Sequence, residues 1–359
     1  MSSNKPSSHE TSSLLTIVID VSPLAWGERD LKRTAQDKAR SAQGKRSVGP
    51  AILEEVLEAV QAYASAFCGI ERDAGLIIIA VADNESAVVY PRKNYLRQWL
   101  VNPENYTPDT RRMREDLTSG VTELLSRASR AVEAKVNTSN RYGSIASGFS
   151  TALCLINRFL VAARAGGVSA LKNDQYLTRS EDDGVIALIG NKKPKKSANK
   201  QASAWSPRIL LIQASDDRSR DYNAFMNCAF AAIKQNIVVD ACFLSSGGKT
   251  SSSAFLEQAC DLTGGVFLAP SGAAQVGGAL TEVFFCAFLA PLHCRPCLNL
   301  PALNKVDFRA RCFESAELVD KAFVCNQCLS IFQSKPKEFC PTCQAKLAVD
   351  AKRPKTQIA

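Results

Sequence analysis

The sequence LLTIVID at residues 14–20 is a short run of apolar, mostly β-branched side chains. Such a run predicts a strand that is buried on both faces of a sheet. Similar runs recur in GLIIIAVADN (75–84), RILLIQASDD (208–217), NIVVDACFL (236–244) and GVFLAP (265–270). Because helical sequence separates most of these runs, the chain is predicted to be an α/β protein with a mostly parallel sheet and helices on both faces.

The sequence between the strands has the apolar spacing of helices. The predicted helices cover residues 50–68, 109–136, 144–165, 221–235, 253–262 and 272–289. In the first of them, Pro50 fits the first helical turn. ESAVVYP (85–91) follows the turn residues Asp83 and Asn84, so it is predicted to return beside the second strand as an antiparallel edge.

Two basic stretches interrupt this pattern. Residues 28–49 form one, and KKPKKSANK (192–200) forms the other within an inserted loop at 170–205. The net charge of +9 is compatible with contact to nucleic acid, but both stretches are predicted to be solvated loops.

The predicted organisation has four parts. A flexible tail (1–13) precedes an α/β domain (14–290), which is followed by a cysteine-rich region (291–347) and a basic tail (348–359). The first tail lacks the apolar core of a signal peptide. No run of eighteen apolar residues occurs, so no membrane span is expected.

The sequence FVCNQCLSIFQSKPKEFCPTCQAKL (323–347) contains two CxxC pairs separated by eleven residues. Zinc requires four tetrahedral ligands, and a CxxC turn places two thiolates on one side of a tight loop. The four predicted ligands of one structural zinc ion are Cys325, Cys328, Cys340 and Cys343. Four thiolates leave no open coordination position, so this ion is not expected to be catalytic.

A second group of possible ligands precedes this module. It consists of His293, Cys294, Cys297 and Cys312. Because His293 and Cys294 are adjacent and neighbouring residues rarely both reach one ion, a second zinc is not expected.

The sequence offers little for catalysis. The chain has two histidines, His9 and His293, and neither can serve as a base inside the main domain. GGKT (247–250) resembles the end of a phosphate-binding loop, but Phe243 stands where that loop needs glycine. The chain is therefore predicted not to be an enzyme.

Acidic and hydroxyl side chains follow two of the predicted strands. Asp20 and Ser22 end the first, and Asp216-Asp217 end the third. Ligands of open α/β sheets bind at the carboxyl ends of the strands, where these oxygens could hold Mg²⁺.

The strand order and the Asp20/Ser22 pair resemble a von Willebrand factor A (vWA) domain, a Rossmann-like fold. Metal-binding members of that family carry a second serine where this chain has Leu24. The resemblance therefore implies a broken metal site, in which Asp20 and Ser22 are mainly structural.

A closer resemblance covers about residues 14–347. LLTIVIDVSPLAWG, RILLIQASDD, LEQACDLTGGVFLAP, DFRARCF and FVCNQCLSIFQSKPKEFCPTC follow one another as in the smaller vWA-plus-zinc subunits of the core of general transcription factor IIH. The resemblance implies a non-catalytic nuclear scaffold for RNA polymerase II initiation and nucleotide excision repair. Its implied partners are other core subunits, especially the zinc-rich C-terminal domain of the larger vWA subunit.

The alternative is a zinc protein that binds nucleic acid directly through its basic loops. Lys335, Lys337 and Lys346 lie near the cysteine pairs, but no helix there offers a set of base-reading side chains. Contact with DNA is therefore expected to be indirect or weak.

Overall fold

The structure is a computed structural model. It describes residues 12–41, 50–71, 74–82, 85–101, 107–134, 144–164, 205–245, 252–275, 278–301, 306, 309–315, 318–336 and 338–346. The predicted N-terminal tail up to residue 11, the C-terminal tail, the 170–205 insertion up to residue 204, GGKT and part of the 28–49 stretch lie outside these residues. Residues 12–13, which were predicted to belong to the tail, are the start of the first strand.

A six-stranded sheet with the order β3-β2-β1-β4-β5-β6 forms the centre of the molecule. Its strands are Ser12–Asp20 (β1), Ala74–Ala82 (β2), Glu85–Tyr90 (β3), Trp205–Gln213 (β4), Val238–Phe243 (β5) and Phe267–Leu268 (β6). All neighbours pair in parallel except β3, which is antiparallel to β2 at the edge. The predicted sheet type and edge hairpin are confirmed.

The described residues contain eight α-helices. They are Pro23–Ser41 (α1), Leu53–Ile70 (α2), Lys93–Val101 (α3), Thr110–Ala134 (α4), Ile145–Arg164 (α5), Tyr222–Lys234 (α6), Ala254–Thr263 (α7) and Gly278–Phe288 (α8). The helix α2 begins three residues after Pro50, so the predicted place of Pro50 in its first turn is wrong.

The strand β1 shows how the sheet separates two cores. Leu15, Ile17 and Ile19 pack with α2, α4 and α8 on one face. Leu14 and Val18 pack with α3, α5, α6 and α7 on the other. Because successive side chains of a strand point to opposite faces, an almost wholly apolar strand requires helices on both sides.

The helix α5 packs closely on the sheet through Gly148. A Cβ atom at this position would lie 2.4 Å from Val81 Cγ2 and 2.5 Å from Val18 Cγ1. Among the described helices, α5 is the one long and apolar enough to cross a membrane, but half of that stretch is buried inside the protein. Packing against the sheet accounts for its composition.

The basic stretch that begins at residue 28 is not a loop in its described part. Residues 28–41 continue α1, and the prediction is wrong there. Trp26 and Arg29 are almost fully buried, whereas later residues such as Leu31 are exposed. The helix is anchored by its first turns, which the net charge of the stretch did not reveal.

Two arginines, the buried Arg208 and the partly buried Arg295, connect the residues at and after the end of α8 to the sheet. Arg208 of β4 donates to the carbonyl groups of Phe288 (2.9 Å) and Ala290 (3.1 Å). Arg295, within a 3₁₀ turn at Leu292–Cys297, forms a bidentate ion pair with Asp240 of β5 at 2.7 and 2.6 Å. The cysteine-rich region then forms two small hairpins, Ala310–Arg311 (β7) with Leu318–Val319 (β8) and Phe323–Val324 (β9) with Ile331–Phe332 (β10).

Candidate metal centre

The first CxxC pair lies in a tight turn directly after β9. The amide of Leu329 donates to the carbonyl of Cys325 (3.0 Å), and the amide of Cys325 donates to the carbonyl of Ser330 (2.9 Å). Leu329, directly after the second cysteine, has a φ of 59°. Left-handed backbone at a non-glycine residue is uncommon, so this turn is a specific local structure.

The second CxxC pair repeats the same turn. The amide of Gln344 donates to the carbonyl of Cys340 (2.9 Å), and the amide of Cys340 donates to the carbonyl of Ala345 (2.9 Å). Gln344 has a φ of 60°, matching Leu329. The two turns are therefore equivalent halves of one site.

The structure brings the four predicted ligands together. The sulfur atoms of Cys325, Cys328, Cys340 and Cys343 all lie within 4.8 Å of one another. Cys325 Sγ is 3.8 Å from Cys343 Sγ, and Cys328 Sγ is 3.6 Å from Cys340 Sγ. A tetrahedron with zinc–sulfur bonds of 2.3 Å has edges of about 3.8 Å, so the arrangement fits a metal of that size.

The pKa values of two of the thiols also favour a bound cation at this site. Burial opposes ionisation of Cys328, but hydrogen bonds from Ser330 outweigh it and lower its pKa to about 6. At Cys343 the amide of Ala345 acts to lower the pKa, but burial and the neighbouring thiols raise it to about 12. Without a cation only part of the set can ionise, because four thiolates this close repel one another.

The protein core around the cysteines is small. Cys325, Cys340 and Phe332 are buried, and Phe313 and Cys328 pack against them. So few buried side chains offer little to offset the entropy of ordering the region, so a bound metal is expected to contribute to its stability.

The cysteine module lies beside α6. Asn223 Nδ2 approaches the carbonyl oxygens of Leu329 (3.4 Å) and Cys328 (3.5 Å). A cleft of about 400 Å³ between the module and the turn before α6 is lined by Arg220, Phe313 and Phe332, among others.

The second group of possible ligands is not assembled. Cys312 is 2% exposed and accepts a hydrogen bond from the amide of Gln333 (3.4 Å), beside β10. His293 and Cys297 are exposed at the 3₁₀ turn near Arg295. Within the described ranges, the four-cysteine set is the one group of three or more His, Cys, Asp or Glu residues arranged to hold an ion.

The acidic site at the carboxyl ends of the strands is closed by protein donors. Asp20 is 1% exposed, and its Oδ1 accepts from the amide (3.0 Å) and the hydroxyl of Ser22. Its Oδ2 accepts from the amides of Ala214 (3.2 Å) and Ser215 (2.9 Å) and from the Ser215 hydroxyl (2.5 Å). Asp20 therefore joins the ends of β1 and β4 and has little capacity left for a metal ion.

The other predicted oxygen ligands point elsewhere. Asp216 is exposed. Asp217 accepts from the Ser253 hydroxyl (2.5 Å) and the Phe255 amide (3.2 Å), at the start of α7. Asp217 therefore contacts the start of α7, and Ser215, which the sequence did not predict, is a partner of Asp20.

A buried arginine lies near this acidic site. Arg29 is fully buried and donates to the carbonyls of Ala51 (3.0 Å) and Leu244 (2.6 Å) and to Gln275 Oε1 (2.7 Å). Its guanidinium lies over the Trp26 ring at 5.2 Å. Burial lowers the pKa of Arg29 to about 10. The guanidinium of Arg29 therefore places a positive charge at this end of the sheet.

The sequence of the whole described fold matches one protein family. A family model described as transcription factor Tfb4 matches residues 12–344. The chain belongs to the Tfb4 family.

Curated relatives carry the same family name or that of its complex. General transcription factor IIH subunit 3 of Dictyostelium discoideum is 41% identical over 143 residues, which are 40% of this chain and 36% of that protein. Subunit TFB4 of the general transcription and DNA repair factor IIH of Debaryomyces hansenii is 26% identical across 96% of this chain and 87% of that protein. Four of the curated relatives, including the Dictyostelium protein, are matched over only 36% to 45% of their own length.

A solved structure supports the fold of this Tfb4 family member. The crystal structure of the TFIIH p34 N-terminal domain superposes with a TM-score of 0.50 and 20% identity, covering 77% of this chain and 100% of that one. The predicted vWA-like, Rossmann-like sheet is confirmed.

Proposed function

We propose that this chain is a non-catalytic structural subunit of the core of general transcription factor IIH, acting in RNA polymerase II initiation and nucleotide excision repair. The observation that carries the proposal is the match to the Tfb4 family over residues 12–344. The names of the relatives describe subunits of that factor, and the name of the Debaryomyces hansenii protein describes it as a DNA repair factor as well.

The closed acidic site supports a role without catalysis. Both oxygens of Asp20 are engaged by Ser22, Ala214 and Ser215. The buried Arg29 supplies a fixed positive charge nearby. Asp20 therefore has a structural role at this end of the sheet, where it links β1 to β4.

The metal of the four-cysteine site is proposed to be zinc with a structural role. The sulfur spacing and the all-thiolate ligand set favour zinc. The proposal includes a division between an α/β domain at 14–290 and a metal-dependent region at 291–347.

The proposed partners are the other core subunits of factor IIH in the nucleus, especially the zinc-rich C-terminal domain of the larger vWA subunit. The alternative based on basic loops is less well supported, because Arg29 is buried and Arg33 is paired with Glu55 at 2.7 Å.

The proposal is tested by affinity purification of the tagged chain from nuclear extract, followed by quantitative mass spectrometry. The wild type should recover the factor IIH core subunits. Cys340→Ser should lose zinc and at least the contacts made by the cysteine module. Cys286→Ser is the matched control, since Cys286 is an exposed cysteine of α8.

Two results would count against the proposal. Recovery of a stable set of proteins without any factor IIH subunit would refute the assembly role. Full recovery by Cys340→Ser after loss of its zinc would refute the structural role of the metal.

A further inference from the structure

The short helix α3 has a basic outer surface that neither the sheet core nor the metal centre uses. Residues 86–103, which include α3, contain three cations and no Asp or Glu. The exposed side chains of the helix are Lys93, Asn94, Tyr95, Arg97 and Gln98. These five residues are called the α3 basic face below.

The opposite side of the helix fixes this face in place. Leu96, Trp99 and Leu100 are buried with α5 in the core on that side of the sheet. The Trp99 ring lies 4.7 Å from the Phe159 ring. The exposed side chains are therefore presented from a rigid element at the β3 edge of the sheet.

The charges of this face are not neutralised within the described structure. Elsewhere, Arg114 pairs with Glu58 at 3.0 Å and Arg33 with Glu55 at 2.7 Å. In the described part of the chain, Lys93 and Arg97 have no such carboxylate partner. Their positive potential is thus available to an external anion.

The cations next to this face are paired with carboxylates. Arg92, directly before α3, forms an ion pair with Asp116 of α4. Arg112, one helical turn before Asp116 on α4, lies 3.8 Å from the carboxylate of Asp109 and is 68% exposed. The unneutralised positive charge on this side of the described structure therefore belongs to Lys93 and Arg97 of α3.

We propose that the α3 basic face binds the phosphate backbone of duplex DNA. Lys and Arg with Asn, Gln and Tyr are the side chains that contact phosphate and sugar in protein–DNA complexes. The first turn of an α-helix leaves backbone N–H groups without intrahelical partners, and Lys93 lies in the first turn of α3. Such contacts fix a position on DNA and read no sequence.

The composition of the face favours DNA over an acidic protein segment. Protein interfaces usually depend on a few apolar or aromatic anchors that fill pockets. The α3 basic face has no aliphatic residue, and its one aromatic residue, Tyr95, is 51% exposed and surrounded by polar neighbours. A polar, hydrated contact with phosphate fits this surface better.

The test measures binding of the full chain to a fluorescent DNA duplex of mixed sequence at several salt concentrations. In Lys93→Gln/Arg97→Gln, the slope of log Kobs against log salt should become shallower by about 1.8, because each lost phosphate contact contributes about 0.9. The affinity at low salt should fall by more than roughly tenfold. The matched control is Lys38→Gln/Lys234→Gln, which removes two exposed charges from α1 and α6.

The control should keep the slope and affinity of the wild type, and both variants should keep its thermal midpoint because all four positions are exposed. An unchanged slope in the α3 variant, or an equal loss in the control, would overturn the proposal. Loss of binding to a polyglutamate peptide with retained DNA binding would also overturn it, since the face would then serve an acidic protein. The assay uses the chain alone, so its outcome is separate from that of the purification experiment.

Discussion

Replacing Asp20 with alanine removes the hydrogen bonds that connect the carboxyl ends of β1 and β4. Asp20 is 1% exposed, and three backbone amides donate to it: those of Ser22, Ala214 and Ser215. In Asp20→Ala these three donors lose their acceptor inside the protein. The two serine hydroxyls can rotate to other acceptors, so they add less.

The expected loss of stability follows from these three amides. A buried donor left without a partner costs about 1–3 kcal/mol. Since the ends of the strands can relax, the lower half of that range gives a total of about 3–6 kcal/mol. For a domain of this size, each kcal/mol corresponds to roughly 2–4 °C, so the thermal midpoint should fall by about 6 °C or more.

The assay is thermal unfolding followed by circular dichroism, with Asp261→Ala as the control. Asp261 is an exposed residue of α7, so its removal should change stability by less than about 0.5 kcal/mol. Added Mg²⁺ should leave the midpoint of the wild type unchanged. A small effect of Asp20→Ala together with a rise in the wild-type midpoint on adding Mg²⁺ would show that Asp20 is a metal ligand and refute the reasoning.

Three further outcomes are expected. Gly148→Ala should destabilise the chain by about 1–3 kcal/mol in urea unfolding, because the added methyl group overlaps two valine side chains of the sheet. Arg295→Gln should cost about 3–5 kcal/mol in the same assay, since it leaves Asp240 buried without its ion-pair partner; a cost below about 1 kcal/mol would contradict this. Burial raises the pKa of Cys242 to about 12, so iodoacetamide should modify the exposed Cys154 before Cys242, and equal modification of the two thiols would contradict this. The stability that the chain gains from keeping Cys242 neutral should be complete below about pH 9 and should decline as the pH rises towards 12.

The parts of the fold that sequence predicts well are those with a local signal. The apolar run at 14–20 predicts a strand, because only a strand covered on both faces suits such a sequence. The four cysteine ligands are equally local, since each CxxC pair forms its own turn and metal geometry dictates how the pairs combine.

The parts that sequence missed depend on contacts between distant residues. Among the residues of α3 whose burial is described, three side chains are buried in a short polar sequence, so its periodicity is weak. Asp216 and Asp217 were considered as possible oxygen ligands beside Asp20, but β4 ends at Gln213 and Ser215 is the residue that contacts the carboxylate. Arg29 is buried through contacts with Leu244 and Gln275, more than two hundred residues away, which no local pattern of charge indicates.

The most direct test of the account is the metal content of the purified chain. Atomic absorption should find one zinc per chain, and cobalt substitution should give the absorption spectrum of a tetrahedral site with four thiolates. Cys328→Ser should reduce the bound zinc sharply, while Cys294→Ser should leave one zinc per chain, because Cys294 belongs to no assembled ligand set in the described structure. A wild-type chain that folds without zinc would contradict the account, and so would two ions per chain with one lost on changing Cys294.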